Sequence, residues 1–352
     1  MIRIGIIGTG FGAKVHIPGF KTVRGVRILG IAGTHTAKTK EIAQKNNIPL
    51  AFDSWKKLVS HPDIDAISIV TPPHLHAAIA LHAIKNGKHV LCEKPLAMNT
   101  AEAQRMYRAA EKAKVVHMTD FEFRNIPEWI YMRELLQKNY VGKIRHININ
   151  WITGGRAGSH IQFSWQNDKK YGGGTLFALG SHIIDYIEWI FGPITSVSGN
   201  LHIAKKNVGG SIATADDICD ILITLKDSTP ITVSVSSVLP NGRGHWIEVY
   251  GEKGSLKAGN SNLKDSVYGF TLWHGDISKD TGKAMPIPTH IPKIKKGLSD
   301  GRLATFIKTA EQFIHGIQTH KNPRPSFADG ARAQIILQAI QKSNTTRKWI
   351  RI

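Results

Sequence analysis

A glycine-rich turn follows directly on a short apolar strand at the start of the chain. Ile2 to Ile7 is almost wholly apolar and leads into Gly8, Thr9, Gly10, Phe11, Gly12 and Ala13. In such a turn the first glycine permits a tight reversal and the second lets backbone approach a pyrophosphate. The small Ala13 lets the next helix pack closely on the strand. Amides at that helix start face negative charge. Glycine turns also occur for purely conformational reasons, but this context predicts dinucleotide binding by residues 8–13.

Strand-like and helix-like segments alternate over the first 120 residues. Continuous apolar runs, which suit strands buried on both faces, occupy residues 2–7, 26–32, 66–71, 89–92 and 115–119. Helical stretches lie between them at 36–46, 74–86 and 100–114. This alternation predicts an α/β fold, a Rossmann domain over residues 1–120 with a doubly wound parallel sheet.

The pattern changes beyond residue 120. Strand-like runs at 144–152, 196–203, 218–225, 231–237 and 246–250 are separated by turn residues, while 176–191, 303–317 and 330–341 read as helices. Residues 259–300, rich in Gly, Pro and Lys, suggest an irregular loop region. We therefore expect a second, α+β domain over 121–352 with a large, mostly antiparallel open sheet, and a last helix that packs back on the first domain. An open sheet needs cover, which favours a homodimer or homotetramer.

Composition narrows the classes of partner. Lys and Arg exceed Asp and Glu enough to give a formal net charge of +20. The basic residues are spread out, with small clusters such as Lys293, Lys295 and Lys296, and we find no nucleic-acid motif. We therefore expect no specific nucleic-acid partner, only non-specific polyanion binding at low salt. No apolar run is long enough to span a membrane. Cys92 and Cys219 form neither a disulfide framework nor a zinc spacing, and with no signal peptide at the start we expect a cytoplasmic protein.

The residues near the end of the second strand bear on the choice of dinucleotide. NAD-binding domains usually carry a carboxylate about 20 positions after the turn, where it holds the adenosine ribose. This chain offers Thr34, His35 and Lys38 there instead. Hydroxyl, imidazole and ammonium groups suit a 2′-phosphate. We therefore predict NADP(H) as the preferred cofactor, with NAD(H) also possible.

Two further signatures follow. Thr71, Pro72, Pro73 and His74 end the third predicted strand, with His76 two residues on, and Glu93, Lys94 and Pro95 end the fourth. The carboxyl ends of parallel strands are where open sheets bind ligands. A triple glycine at 172–174 precedes a predicted helix that carries His182 and Asp185, which helical spacing places on one face. His76 is as well suited to capping its helix as to approaching a cofactor.

Taken together, these segments resemble the Gfo/Idh/MocA family (glucose–fructose oxidoreductase, inositol dehydrogenase and rhizopine catabolism proteins). The resemblance covers nearly the whole chain, including the late Pro325 to Gly330 stretch. It implies a sugar, cyclitol or related hydroxy or carbonyl substrate, Lys94 as the lysine of the catalytic box, and His182 as the acid/base histidine. Relatives that oxidise sugars often carry an aspartate four residues before that histidine, whereas this chain has Ala178. Asp185 is the remaining candidate to orient His182.

The resemblance implies that Lys94 hydrogen-bonds the reacting oxygen and that His182 manages one proton, while Thr71, Pro72, His76, Glu93 and Lys94 help to hold the cofactor. Arg124 and Trp165 are weaker candidates for contact with substrate. Asp216, Asp217 and Asp220 lack nearby histidines, so we expect solvated turn residues and no metal site. Two other functions stay open: a cofactor-binding sensor without turnover, and a glycoside hydrolase that recycles its hydride.

Overall fold

The computed structural model describes residues 1–260, 269–278, 282–294, 298 and 300–352. They form two compact units. The first comprises Met1–Glu122 and Lys295–Gln334, and the second comprises Phe123–Ile294 and Ile335–Ile352.

The first unit is built on a parallel sheet. Its strands are β1 (Ile2–Ile7), β2 (Val26–Ala32), β3 (Leu50–Phe52), β4 (Ala66–Ile69), β5 (His89–Glu93) and β6 (His117–Asp120). Their order across the sheet is β3-β2-β1-β4-β5-β6, and each neighbouring pair is parallel. The predicted doubly wound sheet is thus confirmed. The order reverses between β1 and β4, and a crevice at the carboxyl ends of strands on either side of such a reversal is where these sheets bind ligands.

The helices predicted at 36–46, 74–86, 100–114 and 303–317 lie within two residues of the observed bounds, the one predicted at 330–341 is longer at both ends, and the helix at Pro127–Gln137 was not predicted. In the described residues the helices are α1 (Ile17–Thr22), α2 (Thr36–Lys45), α3 (Trp55–Val59), α4 (His76–Lys85), α5 (Thr100–Ala113), α6 (Pro127–Gln137), α7 (Ser181–Phe191), α8 (Arg302–Thr319) and α9 (Phe327–Thr346), with π-helical turns at Gly12–His16 and Leu176–Gly180. Asn99 caps α5, because its side chain accepts a hydrogen bond from the Glu102 amide at 2.9 Å.

The C-terminal segment of the first unit completes its core. Phe306 and Phe313 of α8 are fully buried in one cluster with Ile4 of β1 and Phe20 of α1. On the other side of the sheet, Phe327 at the start of α9 joins a second buried cluster. Aromatic side chains bury large apolar areas, so α8 is held firmly against the start of the dinucleotide-binding fold.

The second unit contains a larger sheet. In the described residues its strands are β7 (Ile144–Ile152), β8 (Ile194–His202), β9 (Asn207–Val208), β10 (Ser211–Ile212), β11 (Ile218–Leu225), β12 (Pro230–Ser236), β13 (Gly244–Gly251), β14 (Gly254–Asn260), β15 (Thr271–Asp276), β16 (Lys283–Met285) and β17 (Ile350–Arg351). Strands β9 and β10 form a separate pair, and the others follow the order β16-β15-β14-β13-β7-β12-β11-β8-β17. All neighbours are antiparallel except β7 and β12. The prediction of a large, mostly antiparallel sheet is confirmed.

Some local predictions were wrong. The expected irregular region at 259–300 contains β15 and β16, which extend the sheet by antiparallel pairing with β14. Parts of that region lie outside the described residues, as do Lys295 and Lys296 of the basic cluster. The short elements β3 and α3 were not predicted, because three and five residues are too few to show a period.

Candidate functional site

The glycine turn of the first unit combines a backbone constraint with an open approach. Gly8 has a φ of +127°, and a Cβ there would overlap the carbonyl oxygen of Val70. Gly10 is exposed, and a Cβ built on it would meet nothing within 4 Å. At Gly12 a Cβ would come within 3.3 Å of Ile6. Gly8 and Gly12 thus let the turn pack on the sheet, while Gly10 leaves space for a ligand to approach the backbone.

The turn leads into a helix start that suits an anion. Ala13 lies within the π-helical turn Gly12–His16, which continues as α1. Unsatisfied amides at a helix start attract negative charge. Phe11, which lies between the exposed Gly10 and the buried Gly12, is partly buried and lies beneath the guanidinium of Arg302 at 4.6 Å from ring centroid to Cζ. Together with the open side of Gly10, this arrangement fits the diphosphate of a dinucleotide.

The residues predicted to select the dinucleotide lie at the carboxyl end of β2. Thr34, His35 and Lys38 are all exposed, where the chain leaves β2 and begins α2. Gly33 allows this departure, because a Cβ there would lie 2.7 Å from the Thr39 hydroxyl. The segment 33–38 contains no acidic side chain. This end of the site therefore presents hydroxyl, imidazole and ammonium groups to solvent.

Two loops at the carboxyl ends of β4 and β5 are joined by one histidine. His76 is fully buried, and its ring nitrogens contact the carbonyl oxygens of Pro95 at 2.9 Å and Thr71 at 2.8 Å. Burial lowers the pKa of His76, and a neutral ring donates only one of these bonds at a time. The ring ties the Thr71-Pro72 loop to the Lys94-Pro95 loop, so both sequence signatures lie at the same edge of the sheet as the glycine turn.

That edge carries features that suit a bound cofactor. The Thr71 hydroxyl oxygen is buried and has no hydrogen-bond partner among the described residues. Buried polar atoms without partners are rare and call for one. Lys94 is partly exposed, and the peptide bond to Pro95 is cis. The Lys94 amide donates to the Glu93 side chain at 3.2 Å. Glu93 itself is buried, so its carboxylate supports the loop from the protein interior.

A buried polar cluster lies beneath Lys94. His16 Nε2 is 3.0 Å from Glu93 Oε1 and 3.6 Å from Asp120 Oδ2, and His16 Nδ1 is 2.8 Å from the Ser68 hydroxyl. Ligand atoms of the histidine and the two carboxyl groups lie within 4.8 Å of one another, a spacing that a metal ion could also bridge. Sequence reasoning missed this cluster, because its four members come from four separate segments.

Burial sets the charges of this cluster. The pKa of Asp120 is raised well above its ordinary value by burial and by the neighbouring Glu93, and the pKa of His16 is lowered by burial. The pKa of Glu93 is lowered, because its bond to His16 and the charge of Lys94 outweigh a large desolvation cost. Burial also raises the pKa of Glu122 to about 8. Carboxyl groups this close in a dry site favour a shared proton.

In the second unit, His182 lies on α7 after the π-helical turn Leu176–Gly180. Its ring is buried and stacks on Phe123, with centroids 4.2 Å apart and planes at 11°. Trp151 lies next to it at 6.3 Å. The predicted continuous helix over 176–191 is thus divided into a π-helical turn and an α-helix, and π-helical turns occur frequently at functional sites. Ala178 lies in this turn.

Asp185, one turn along α7, is held by an arginine. Arg124 Nε and Nη2 donate to the two carboxylate oxygens at 2.9 and 2.6 Å, and both side chains are largely buried. A bidentate arginine–carboxylate pair fixes both partners in orientation as well as in charge. Arg124 is therefore committed to a protein partner. Trp165, the other weak candidate, is 37% exposed.

The prediction of solvated turn aspartates was wrong for two of the three. The Asp216 carboxylate accepts the Leu176 amide at 2.7 Å, and its carbonyl accepts the Thr175 amide at 2.8 Å. Burial raises the pKa of Asp216 to about 6. Asp217 accepts two loop amides at 2.8 Å, and only Asp220 is exposed. Asp216 therefore anchors the start of the segment that leads to His182.

A small polar cleft adjoins Asp216. Arg156 and Lys205 line it, and Lys205 Nζ donates to three carbonyl oxygens at 2.6 to 3.2 Å. Sequence reasoning also missed His245, a fully buried ring that stacks on Trp151 with centroids 4.3 Å apart. Aromatic residues crowd both His182 and His245, but they come from distant strands and helices and share no local signal.

Comparison with known proteins matches both units. The family model described as "Oxidoreductase family, NAD-binding Rossmann fold" matches residues 2–121, and the one described as "Oxidoreductase family, C-terminal alpha/beta domain" matches 133–352. An uncharacterized oxidoreductase of Synechocystis sp. is 34% identical over 360 residues, covering 100% of this chain and 96% of the relative. Levoglucosan dehydrogenase of Pseudarthrobacter phenanthrenivorans is 27% identical, covering 99% and 97%.

Solved structures agree on the fold. An oxidoreductase domain protein from Kribbella flavida superposes with a TM-score of 0.88 at 28% identity, covering 100% of both chains. Levoglucosan dehydrogenase in complex with NADH and levoglucosan gives a TM-score of 0.88 at 24% identity, covering 100% of this chain and 99% of the other. Among the described residues, none of the helices has the length and apolar character that crossing a bilayer requires.

Proposed function

This chain belongs to the Gfo/Idh/MocA oxidoreductase family, and from that premise we propose that it is an NADP(H)-preferring dehydrogenase or reductase of sugar-like hydroxy or carbonyl compounds. The proposal rests mainly on the groups found at the carboxyl ends of the strands in the first unit's sheet. There the open Gly10, the orphaned Thr71 hydroxyl and Lys94 follow three adjacent strands.

We assign the diphosphate of the cofactor to the glycine turn at this edge of the sheet. The backbone of Gly8, Gly10, Phe11, Gly12 and Ala13 holds the diphosphate, since the turn opens at Gly10 and is followed by a helix start.

The loops after β4 and β5 hold the nicotinamide end. Thr71 offers its unpartnered hydroxyl, Pro72 shapes the loop, and His76 fixes that loop against the one that carries Glu93 and Lys94. When bound, the nicotinamide supplies or accepts the hydride.

The preference for NADP(H) rests on the exposed groups that follow β2. Thr34, His35 and Lys38 are free of the sheet core and unopposed by a carboxylate in segment 33–38. A ribose 2′-hydroxyl is normally held by an acidic residue here, whereas a 2′-phosphate requires donors and positive charge. Levoglucosan dehydrogenase, by contrast, has been solved with NADH, so the preference is a property that this chain's own residues must create.

Two side chains handle the reacting oxygen and its proton. Lys94 donates a hydrogen bond to the oxygen and stabilises negative charge as it develops. His182 takes the proton in oxidation and returns it in reduction, for which an imidazole is well suited near neutral pH. Asp185 contributes by fixing the helix face next to His182 through its bidentate pair with Arg124.

The proposed substrate class rests on the relatives and on Ala178, a position at which this chain differs from many sugar-oxidising relatives. Levoglucosan dehydrogenase, which matches over the whole chain, is named for a sugar derivative. In this chain Ala178 stands where sugar-oxidising relatives often carry an aspartate. We therefore propose a sugar-like or cyclic hydroxy compound as substrate, without extending the specificity of any one relative to this chain.

Equilibrium binding of NADPH and NADH to the cofactor-stripped protein tests the cofactor assignment. We expect NADPH to bind at least about tenfold more tightly, equivalent to roughly 1.4 kcal/mol. Combining Thr34→Asp with Lys38→Ala should abolish that preference without unfolding the protein, because both positions are exposed. Equal affinities, or tighter NADH, would remove the 2′-phosphate assignment. Binding of neither nucleotide would remove the proposed function.

A panel of sugars, polyols and cyclitols, followed by nicotinamide absorbance, tests the reaction. His182→Ala and Lys94→Ala should each abolish turnover while NADPH binding persists in His182→Ala. His202→Ala, an exposed histidine of the same unit, is the matched control and should leave turnover unchanged. Turnover that survives in His182→Ala would exclude it as the proton carrier.

We also propose that the protein works in the cytoplasm as a homodimer or homotetramer. Support comes from its two free, buried cysteines, which suit a reducing compartment, and from the large open sheet of the second unit. Light scattering after size exclusion measures the assembly directly, and a monomer at micromolar concentration would contradict it.

A further inference from the structure

We propose that Arg302, about 290 positions beyond the glycine turn, is a clamp for the diphosphate of the dinucleotide, and that Asp300 holds this clamp ready until the ligand arrives. The inference rests on the proposed function, since it assigns a further residue to the same cofactor site. It is carried by contacts within the first unit.

The guanidinium of Arg302 lies over the glycine turn. Its Cζ is 4.6 Å from the centroid of the Phe11 ring, and Phe11 stands between Gly10 and Gly12 in the turn itself. A cation over an aromatic face is attracted electrostatically. The segment that would bind a diphosphate through its backbone is therefore in contact with a positively charged side chain.

Arg302 is held in place from a rigid support. It is the first residue of α8, and Phe306, one turn later, packs on the His16 ring at 4.0 Å and on Phe20 at 5.5 Å. Gly19 of α1 makes room for that ring, because a Cβ there would lie 2.7 Å from Phe306. The start of α8 is thus fixed against the helix that follows the glycine turn. A clamp carried by a packed helix requires little reordering when it binds.

The guanidinium of Arg302 is paired with one carboxylate and still has a nitrogen that can donate to a ligand. Its Nε and Nη2 donate to the two oxygens of Asp300 at 2.8 and 2.7 Å. Its Nη1 makes no hydrogen bond with any of the described residues, and the side chain is 41% exposed. Two nitrogens are thus presented to a carboxylate in the fork geometry that arginine also uses for phosphate.

The charges around the fork favour an incoming anion. Arg302, through its bond and its charge, lowers the pKa of Asp300, and the nearby ammonium of Lys14 lowers it further. Lys14 is exposed on the π-helical turn. Two cations therefore face one carboxylate at the mouth of the glycine turn. A diphosphate carries more charge than one carboxylate. It can therefore share the Nε and Nη2 donors of Arg302 with Asp300, or displace Asp300 from them.

The structure offers a matched control in Arg3. Arg3 Nε and Nη2 also form a fork on an aspartate, Asp65, at 3.1 and 2.9 Å. Arg3 belongs to the same unit, but it lies near the amino end of β1, whereas the glycine turn follows the carboxyl end. Arg3→Gln therefore removes the same charge and the same kind of ion pair at the opposite edge of the sheet.

The test compares three probes on the full-length, cofactor-stripped protein: NADPH, ADP and adenosine. Arg302→Gln should weaken NADPH and ADP about ten- to thirtyfold and leave adenosine unchanged, because only the first two carry the diphosphate. Arg302→Lys keeps the charge without the fork and should fall between. Arg3→Gln should leave all three affinities unchanged. Thermal unfolding without ligand reports whether each variant folds.

Asp300→Asn separates a clamp from a structural ion pair. If Asp300 competes with the diphosphate, its removal should tighten ADP binding about two- to fivefold. If the pair only supports the fold, Asp300→Asn should weaken ADP binding as Arg302→Gln does, which would overturn the inference. Unchanged ADP affinity in a folded Arg302→Gln protein would also overturn it while leaving the proposed function intact. Failure of the wild-type protein to bind any dinucleotide would overturn both.

Discussion

Replacement of Asp216 by asparagine should change the stability of the protein in a pH-dependent way. Burial raises the pKa of this carboxyl from 3.8 to about 6. Between these values the folded protein binds more protons at this position than the unfolded chain, so the wild-type protein loses stability as pH rises through that window. At about 1.4 kcal/mol per pKa unit, the full loss is about 3 kcal/mol. The part of the side chain that still meets solvent reduces this value, and we expect about 1.5 to 3 kcal/mol.

Asparagine does not titrate, and its oxygen still accepts the Leu176 amide that Asp216 accepts at 2.7 Å. The stability of Asp216→Asn relative to wild type should therefore rise between about pH 4 and pH 7 by the same 1.5 to 3 kcal/mol. Other titrating groups are common to both proteins and cancel in the difference. Urea unfolding at half-unit pH steps measures this difference directly.

The control is Asp227→Asn. Asp227 is an exposed aspartate of the same unit whose side chain also accepts a backbone amide, from Thr229 at 3.0 Å. Because this side chain is exposed, the stability difference for this variant should change by less than about 0.5 kcal/mol across the same range. A flat difference for Asp216→Asn as well would refute the reasoning, because it would mean that Asp216 is hydrated in solution and does not anchor the His182 helix as a buried group.

Three further outcomes follow from the geometry. Gly8→Ala should destabilise the protein by about 2 kcal/mol or more, because a Cβ there overlaps backbone at a φ of +127°, whereas Gly10→Ala should fold normally and lower cofactor affinity; equal stability losses in thermal unfolding would contradict this contrast. Arg124→Gln and Asp185→Asn should each cost about 3 to 5 kcal/mol, and the double variant should cost clearly less than their sum, so an additive double-mutant cycle would exclude a buried coupled pair. Asp120→Asn should remove a carboxylic-acid C=O infrared band present in the wild-type protein at pH 7; absence of that band, together with bound metal by elemental analysis, would show that a cation occupies the cluster in place of a proton.

The parts of the fold that the sequence predicts are those with a strong local period. Strand β1 and strand β2 were predicted with their observed bounds, because continuous apolar runs between glycines are typical of strands covered on both faces. Strand β3 and helix α3 were missed because they are too short to show a period. The π-helical turn Leu176–Gly180 was missed for another reason: its sequence is as apolar as the helix that follows, and the hydrogen-bond register that distinguishes it leaves no compositional trace.

In the candidate site, too, the residues predicted from sequence are those whose signal lies within one short segment. Residues 8–13 were predicted from sequence as a diphosphate site because such a group is bound by consecutive backbone amides, so the whole requirement falls within six neighbouring positions. Arg302 was not proposed from sequence, since an isolated arginine near position 300 comes close to the glycine turn only when α8 packs beside α1. Asp216 was misjudged because its polarity is visible in the sequence, whereas its burial depends on backbone some 40 positions away.

Contacts made by the backbone of one segment and contacts made by side chains of separate segments respond differently to substitution. Backbone groups in one contiguous segment are the same whatever side chains surround them, so the proposed backbone contacts to a dinucleotide diphosphate should persist through sequence change as long as the glycines remain, with Arg302 adding to them. The proposed proton transfer at His182 depends instead on side chains from separate elements, on Phe123 stacking at 4.2 Å and on a helix anchored by Asp216 and Asp185. Each of these is free to change alone. Substitutions such as Ala178 should therefore alter which substrate is turned over well before they alter which cofactor is bound, and the two assays proposed above measure these halves separately.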